Sequence, residues 1–103
     1  MSKTLHLTLK KKWFDMIASG KKKEEYRELK PHWEKRLVNG IFYKIDTDFK
    51  EIDKIVFRNG YAKNAPTITI KCLGIEIGKA KPEWSDNWQG DVFIIKLGEI
   101  CNK

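Results

Sequence analysis

The chain has 103 residues, 41% of them hydrophobic, which suits one small globular domain spanning residues 1–103 with a real core and no long disordered tails. Twenty-one Lys and Arg against 14 Asp and Glu leave a formal charge of +7; that favours polyanionic partners without separating RNA, DNA and membrane surfaces. No run of about 18 apolar residues is present, so neither a membrane helix nor a membrane partner is expected. The start, MSKTLHLTLKKK, lacks the apolar core and cleavage site of a secretory signal, so a cytoplasmic location is expected.

Residues 3–9 alternate, with Leu5, Leu7 and Leu9 against Thr4, His6 and Thr8, which reads as a half-buried strand. A helix then starts at Lys10, with Thr8 as its candidate cap. Trp13, Phe14, Met16 and Ile17 recur at helical spacing, and Gly20 stands where a helix C′ glycine belongs. The polar run from Lys21 to Leu29 follows. Strand periodicity places Lys23, Glu25 and Arg27 on one face of it, and Lys22, Glu24, Tyr26 and Glu28 on the other. Pro31 suits the first turn of a second helix, with Trp33, Leu37 and Val38 inward and Asn39-Gly40 as its stop.

Residues 41–45 read as a strand, 46–50 as a polar connection, and Ile52 with residues 54–58 as the next strand, ended by Asn59-Gly60. Residues 67–77 read as a long strand that Gly74 interrupts, the signature of a bulge in a sheet that must curve. Residues 79–90 form a loop carrying Trp84 and Trp88, and 91–97 is a strand apolar on both faces. Five or six short strands, with one or two helices near the N-terminus, give an α+β chain curled into a small barrel.

Lysine, glutamate and arginine so dense on one strand admit two readings. One is a solvated surface whose charges pair with little net energy. The other is a cleft wall on which Glu25 orients Arg27 and the Arg27 donor fork meets a planar or anionic ligand. Nucleotide and RNA sites combine cations with aromatic faces. Lys22, Arg27, Arg58 and Lys63 are candidate cations here, and Tyr26, Tyr61 and Trp84 candidate faces. Glu25, Asn59 and the Gly60 backbone could read base edges. Cys72 and Cys101 lack metal or redox spacing and read as reduced thiols. His6 and His32 have no carboxylate at ligand spacing, so neither a metal nor a cofactor is expected.

The run Ser19-Gly20-Lys21-Lys22-Lys23-Glu24-Glu25-Tyr26-Arg27 resembles the signature of the ASCH domain family: a helix ending in a small residue and glycine, then lysine, then glutamate-x-arginine. Phe57-Arg58-Asn59-Gly60-Tyr61 is similar to a second landmark of that family. The resemblance implies a small PUA-like β-barrel that binds RNA or a nucleotide-like molecule, alone or docked to an RNA-handling protein. The binding residues it implies are Lys22, Glu25, Tyr26, Arg27, Arg58, Asn59, Gly60 and Tyr61. It also implies an alternative, an amidohydrolase acting on acylated cytidine nucleosides, or a ribonuclease. Lys22 would then be the catalytic lysine, with Glu83 or Glu76 as third member; apart from the resemblance, Glu25 is a candidate general base because a carboxylate beside a lysine can accept a proton at neutral pH. The amidohydrolase subgroup carries threonine where this chain has Glu25.

Overall fold

The computed structural model describes residues 3–42 and 46–102. Five strands, β1 (Thr4–Leu9), β2 (Glu24–Glu28), β3 (Lys54–Asn59), β4 (Thr67–Lys79) and β5 (Asp91–Asn102), form one mixed sheet in the order β1-β3-β4-β5-β2. Only β1 and β3 run parallel; the other neighbours are antiparallel. Helices α1 (Lys11–Ala18) and α2 (Pro31–Leu37) flank β2 in sequence, and a 3-10 turn spans Pro82–Trp84.

The two longest strands curl this sheet into a half-barrel. Pairing between β4 and β5 shifts register three times between Thr69 and Gly74, and Gly74 takes φ +137°. Each shift adds local twist to the strand that carries it. As a result the two edge strands, first and last in the order, come close enough for one side chain to span them: the Arg27 guanidinium on β2 donates to the Thr8 carbonyl on β1 at 3.4 Å.

Alternation selects the inner face. Leu5, Leu7 and Leu9 of β1, Ile55 and Phe57 of β3, and Phe93, Ile95 and Leu97 of β5 are buried in the main core with Trp13, Phe14 and Ile17 of α1 and Leu37 of α2. The opposite face of β5 is covered as well. Val92, Ile94 and Tyr26 form a second cluster beneath Ala80, Trp84 and Trp88, so the 80–88 segment lies over the outside of the β2–β5 pair.

Several boundaries differ from the sequence reading. Helix α1 starts at Lys11; Lys10, not Thr8, is its N-cap, and the Lys10 carbonyl accepts from the Trp13 and Phe14 amides. The charged strand begins at Glu24, because the preceding residues are used in ending α1. Ile41 and Phe42 are not in a strand, and the remainder of the expected 41–45 strand lies outside the described residues; nearby, Val38 and Phe49 form an isolated bridge. Strands β4 and β5 run on to Lys79 and Asn102, since their long antiparallel pairing satisfies backbone groups past the apolar stretch. Among the described residues no helix is long and apolar enough to cross a membrane.

Candidate functional site

The end of α1 sets up the site. Gly20 adopts φ +81°, its amide donates to the Ile17 carbonyl, and the Lys21 amide donates to the Met16 carbonyl at 2.9 Å. This is the Schellman pattern of bonds, which needs a left-handed residue at C′. The Lys22 amide also donates to Met16 O, at 3.0 Å. The chain is thereby folded back tightly before β2 starts, and the Lys22 side chain enters the protein instead of solvent.

Lys22 is 1% exposed. Its ammonium donates to Glu25 Oε1 at 2.8 Å and to the Glu24 carbonyl. It also lies 4.8 Å from the Tyr26 ring centroid and 5.4 Å from that of Trp13. Burial pulls its pKa below the ordinary 10.5, against the attraction of Glu25. The other Glu25 oxygen, Oε2, accepts from Arg27 Nη1, so one buried carboxylate is shared by two cations. Among the described residues no buried side-chain nitrogen or oxygen lacks a hydrogen-bond partner.

Arg27 continues the chain outward. Besides Glu25 it donates to the Tyr26 carbonyl at 2.8 Å and to Thr8 O, and its guanidinium stands 5.0 Å from the Trp33 ring centroid. Trp33 carries a second guanidinium, that of Arg36, at 5.7 Å. Tyr26 is held from the other side. Its hydroxyl donates to Glu24 Oε1 at 2.7 Å and accepts the Lys81 amide at 3.2 Å, tying β2 to the covering segment. Burial raises its pKa well above the ordinary 10.0.

These groups open into a cleft of about 620 Å³ between the two sheet edges. That volume lies within the roughly 300–1,000 Å³ of small-ligand sites. Glu25, Tyr26 and Arg27 form one wall and β1 residues 6–9 another. Trp33 and Arg36 of α2, Trp84 and Trp88, and Tyr61, which is 90% exposed, line it as well. The surface therefore offers fixed donors, several aromatic faces and few apolar aliphatic groups. It suits a flat, polar ligand better than a hydrocarbon one.

Of the residues expected from sequence, Glu25, Tyr26, Arg27 and Tyr61 line this cleft, together with Trp84. Lys22 is brought to the Glu25–Arg27 side, whereas strand alternation placed it on the opposite face; it precedes the strand and is not bound by the alternation. It lies behind Glu25, not on the cleft lining.

Arg58, Asn59 and Gly60 are not among the cleft-lining residues. The Arg58 guanidinium donates to the carbonyls of Ala62 and Lys63 and braces that loop. The Asn59 and Gly60 amides are used by the Pro66 and Leu9 carbonyls, so the corner supports the cleft and does not offer it free N–H groups. Glu76 pairs with Lys96 at 3.2 Å, and neither Glu76 nor Glu83 lines the cleft.

The sequence reading gave no ligand role to His32, Trp33 or Arg36, all of which line the cleft. The available signal was the spacing of His32 and Arg36 four residues apart, which puts both on one side of α2. Compared with known proteins, the chain matches no family model, no curated protein and no solved structure.

Proposed function

We propose that this chain is an ASCH-type, PUA-like domain that binds an RNA segment or a nucleotide-sized ligand in the cleft between the sheet edges. The observation that carries the reading is the Arg27 guanidinium. It is fixed by Glu25 and by two carbonyls, set against Trp33, and faces the same hollow as Tyr61, Trp84 and Trp88. Three of the five donors of an arginine are used in holding it, and the remainder are available to a planar or anionic group. The charge of +7 supports an anionic partner.

The experiment is binding of short RNA oligonucleotides across a salt series. Affinity falls steeply as salt rises, and Arg27→Ala and Tyr61→Ala each weaken binding about tenfold or more. Unchanged affinity in both variants sinks the reading.

The runner-up is hydrolysis of an acylated cytidine nucleoside, or of RNA, through Lys22. Its support is the buried ammonium whose pKa lies below the usual lysine value. Against it stand the two acceptors that hold Lys22 and its place behind Glu25. Incubation with acetylated cytidine, with acetate release as readout, decides the amidohydrolase form. Turnover lost in Lys22→Gln and kept in Lys3→Ala would place it first; no turnover alongside intact RNA binding removes it.

A further inference from the structure

The two edge strands face each other across the cleft, and the pairing on their other sides fixes which backbone groups turn toward it. The Leu97 amide donates to the Lys23 carbonyl at 3.0 Å, in register with the Glu24–Lys96 pair. Bonded and non-bonded positions alternate along an antiparallel pair. Glu25 and Arg27 therefore turn their N–H and C=O groups to β5, and Glu24, Tyr26 and Glu28 turn theirs outward. On β1 the Leu9 carbonyl accepts the Gly60 amide, so Leu5, Leu7 and Leu9 face β3, and His6 and Thr8 turn outward by the same alternation. Side-chain contacts at this seam agree. Arg27 donates to the outward carbonyls of Tyr26 and Thr8, and Lys22 to that of Glu24. The amides of Tyr26 and Thr8, each on a residue whose carbonyl Arg27 holds, have no acceptor among the described residues.

The charge at the seam is unbalanced. Lys22 and Arg27 both pair with the one Glu25 carboxylate, and the three side chains are 12% exposed or less, so one positive charge stays in excess where water screens it little. Asp86 and Glu28 also line the cleft, but each has a single cationic partner, Lys10 and Lys30, and all four side chains are more than half exposed. Arg36 adds a further cation, exposed to solvent. The bonds to Glu25, Tyr26 and Thr8 use both hydrogens of Arg27 Nη1 and one of Nη2, which leaves Nε–H and one Nη2–H. Resting on the nucleotide-binding reading above, we infer that the seam is an oxyanion site: the ligand's phosphate lies in the β1–β2 gap at Arg27, taken by the Nε–H and free Nη2–H and by the Tyr26 and Thr8 amides. A neutral base carbonyl fits these donors but leaves the excess charge without a counter-ion. The terminal phosphate of a mononucleotide and the phosphodiester of an RNA strand share the required chemistry.

The test is NMR titration of the isotope-labelled chain with inorganic phosphate, uridine, uridine 5′-monophosphate and the methyl ester of that monophosphate, a phosphodiester. Inorganic phosphate alone shifts the Tyr26 and Thr8 amides and the Arg27 Nε–H. The better of the two phosphorylated ligands binds about tenfold or more tightly than uridine, the worth of one charge-assisted contact. The monophosphate in the lead assigns a terminal phosphate to the seam; the ester level or in the lead assigns a phosphodiester. Lys22→Met removes one cation behind the cleft without touching the ligand, and it lowers the gain from phosphate about threefold or more. Lys71→Met removes an exposed charge on β4 outside the cleft and leaves that gain in place. An equal loss in Lys71→Met assigns the gain to overall charge and overturns the site. Equal affinity for uridine and both phosphorylated ligands, or phosphate shifts centred on Arg36 or Arg58 with the Tyr26 and Thr8 amides unmoved, overturns it as well while leaving cleft binding intact. Phosphate bound at the seam with no nucleoside or nucleotide binding keeps the oxyanion site and sinks the nucleotide reading. If no ligand perturbs any cleft residue, both fall.

Discussion

The Lys22 ammonium and the Glu25 carboxylate meet at 2.8 Å in a space that is nearly closed to water, with the Trp13 and Tyr26 rings beside them. Charges so placed depend on each other. Removing one partner of a buried pair leaves an uncompensated charge at a cost of about 3–5 kcal/mol. Glu25→Ala therefore destabilises strongly, because it abandons both Lys22 and Arg27. A Lys22→Met, Glu25→Gln double variant loses less than the two single changes added together. Denaturant unfolding of the four proteins measures the coupling, and strict additivity contradicts it.

Alkaline pH acts on the same neighbourhood in two directions. The folded chain gives up the Lys22 proton at a lower pH than the unfolded chain does, so through the interval ending at 10.5 the unfolded state binds more protons and stability rises with pH. Tyr26 behaves oppositely. The unfolded chain ionises it near 10.0 while burial keeps it protonated in the fold, so stability falls as pH climbs past 10.0. Thermal unfolding between pH 7 and 11 should show Lys22→Met without the rise and Tyr26→Phe without the fall. Parallel curves for all three proteins would contradict both assignments.

Gly20→Ala isolates the turn that delivers Lys22. A Cβ at Gly20 would meet only the end of the Lys23 side chain, at 3.9 Å, so space is not the obstacle. The obstacle is φ +81°, which costs an L-residue on the order of 1–2 kcal/mol. The variant unfolds at lower denaturant concentration by about that amount. An Asn at the same position, which tolerates the left-handed region better, loses less.

Tyr61 separates binding from folding. It lines the cleft and is 90% exposed. Tyr61→Ala stays within about 0.5 kcal/mol of the parent in stability, as surface changes do. It loses about 1–3 kcal/mol of affinity for RNA if a base stacks there. Equal affinity in the variant assigns Tyr61 to solvent and removes it from the site.

Local pattern was enough for much of the architecture. The alternation of Leu5, Leu7 and Leu9, the helical spacing of Trp13, Phe14 and Ile17, the Gly20 stop and the Gly74 bulge all appear where the residues imply. So does the doubly apolar β5, whose two faces meet two separate clusters. Each of these depends on neighbours a few residues apart, through backbone conformation and side-chain period, so each is written into a short window of sequence.

What the sequence by itself determined is therefore the inventory: an α+β chain with a cationic excess and a charged strand just after an early glycine. Only the tertiary structure decided that β2 sits at the far end of the sheet order, that the curl brings it opposite β1, and that Arg27 spans the gap. It also decided that Lys22 is buried and that Trp33 and Arg36 face the same cleft. A lysine in a polar run reads as solvated because desolvating an ammonium is costly. Here Glu25, three residues on, offsets that cost together with Trp13 and Tyr26, and only the folded chain closes all three around the ammonium.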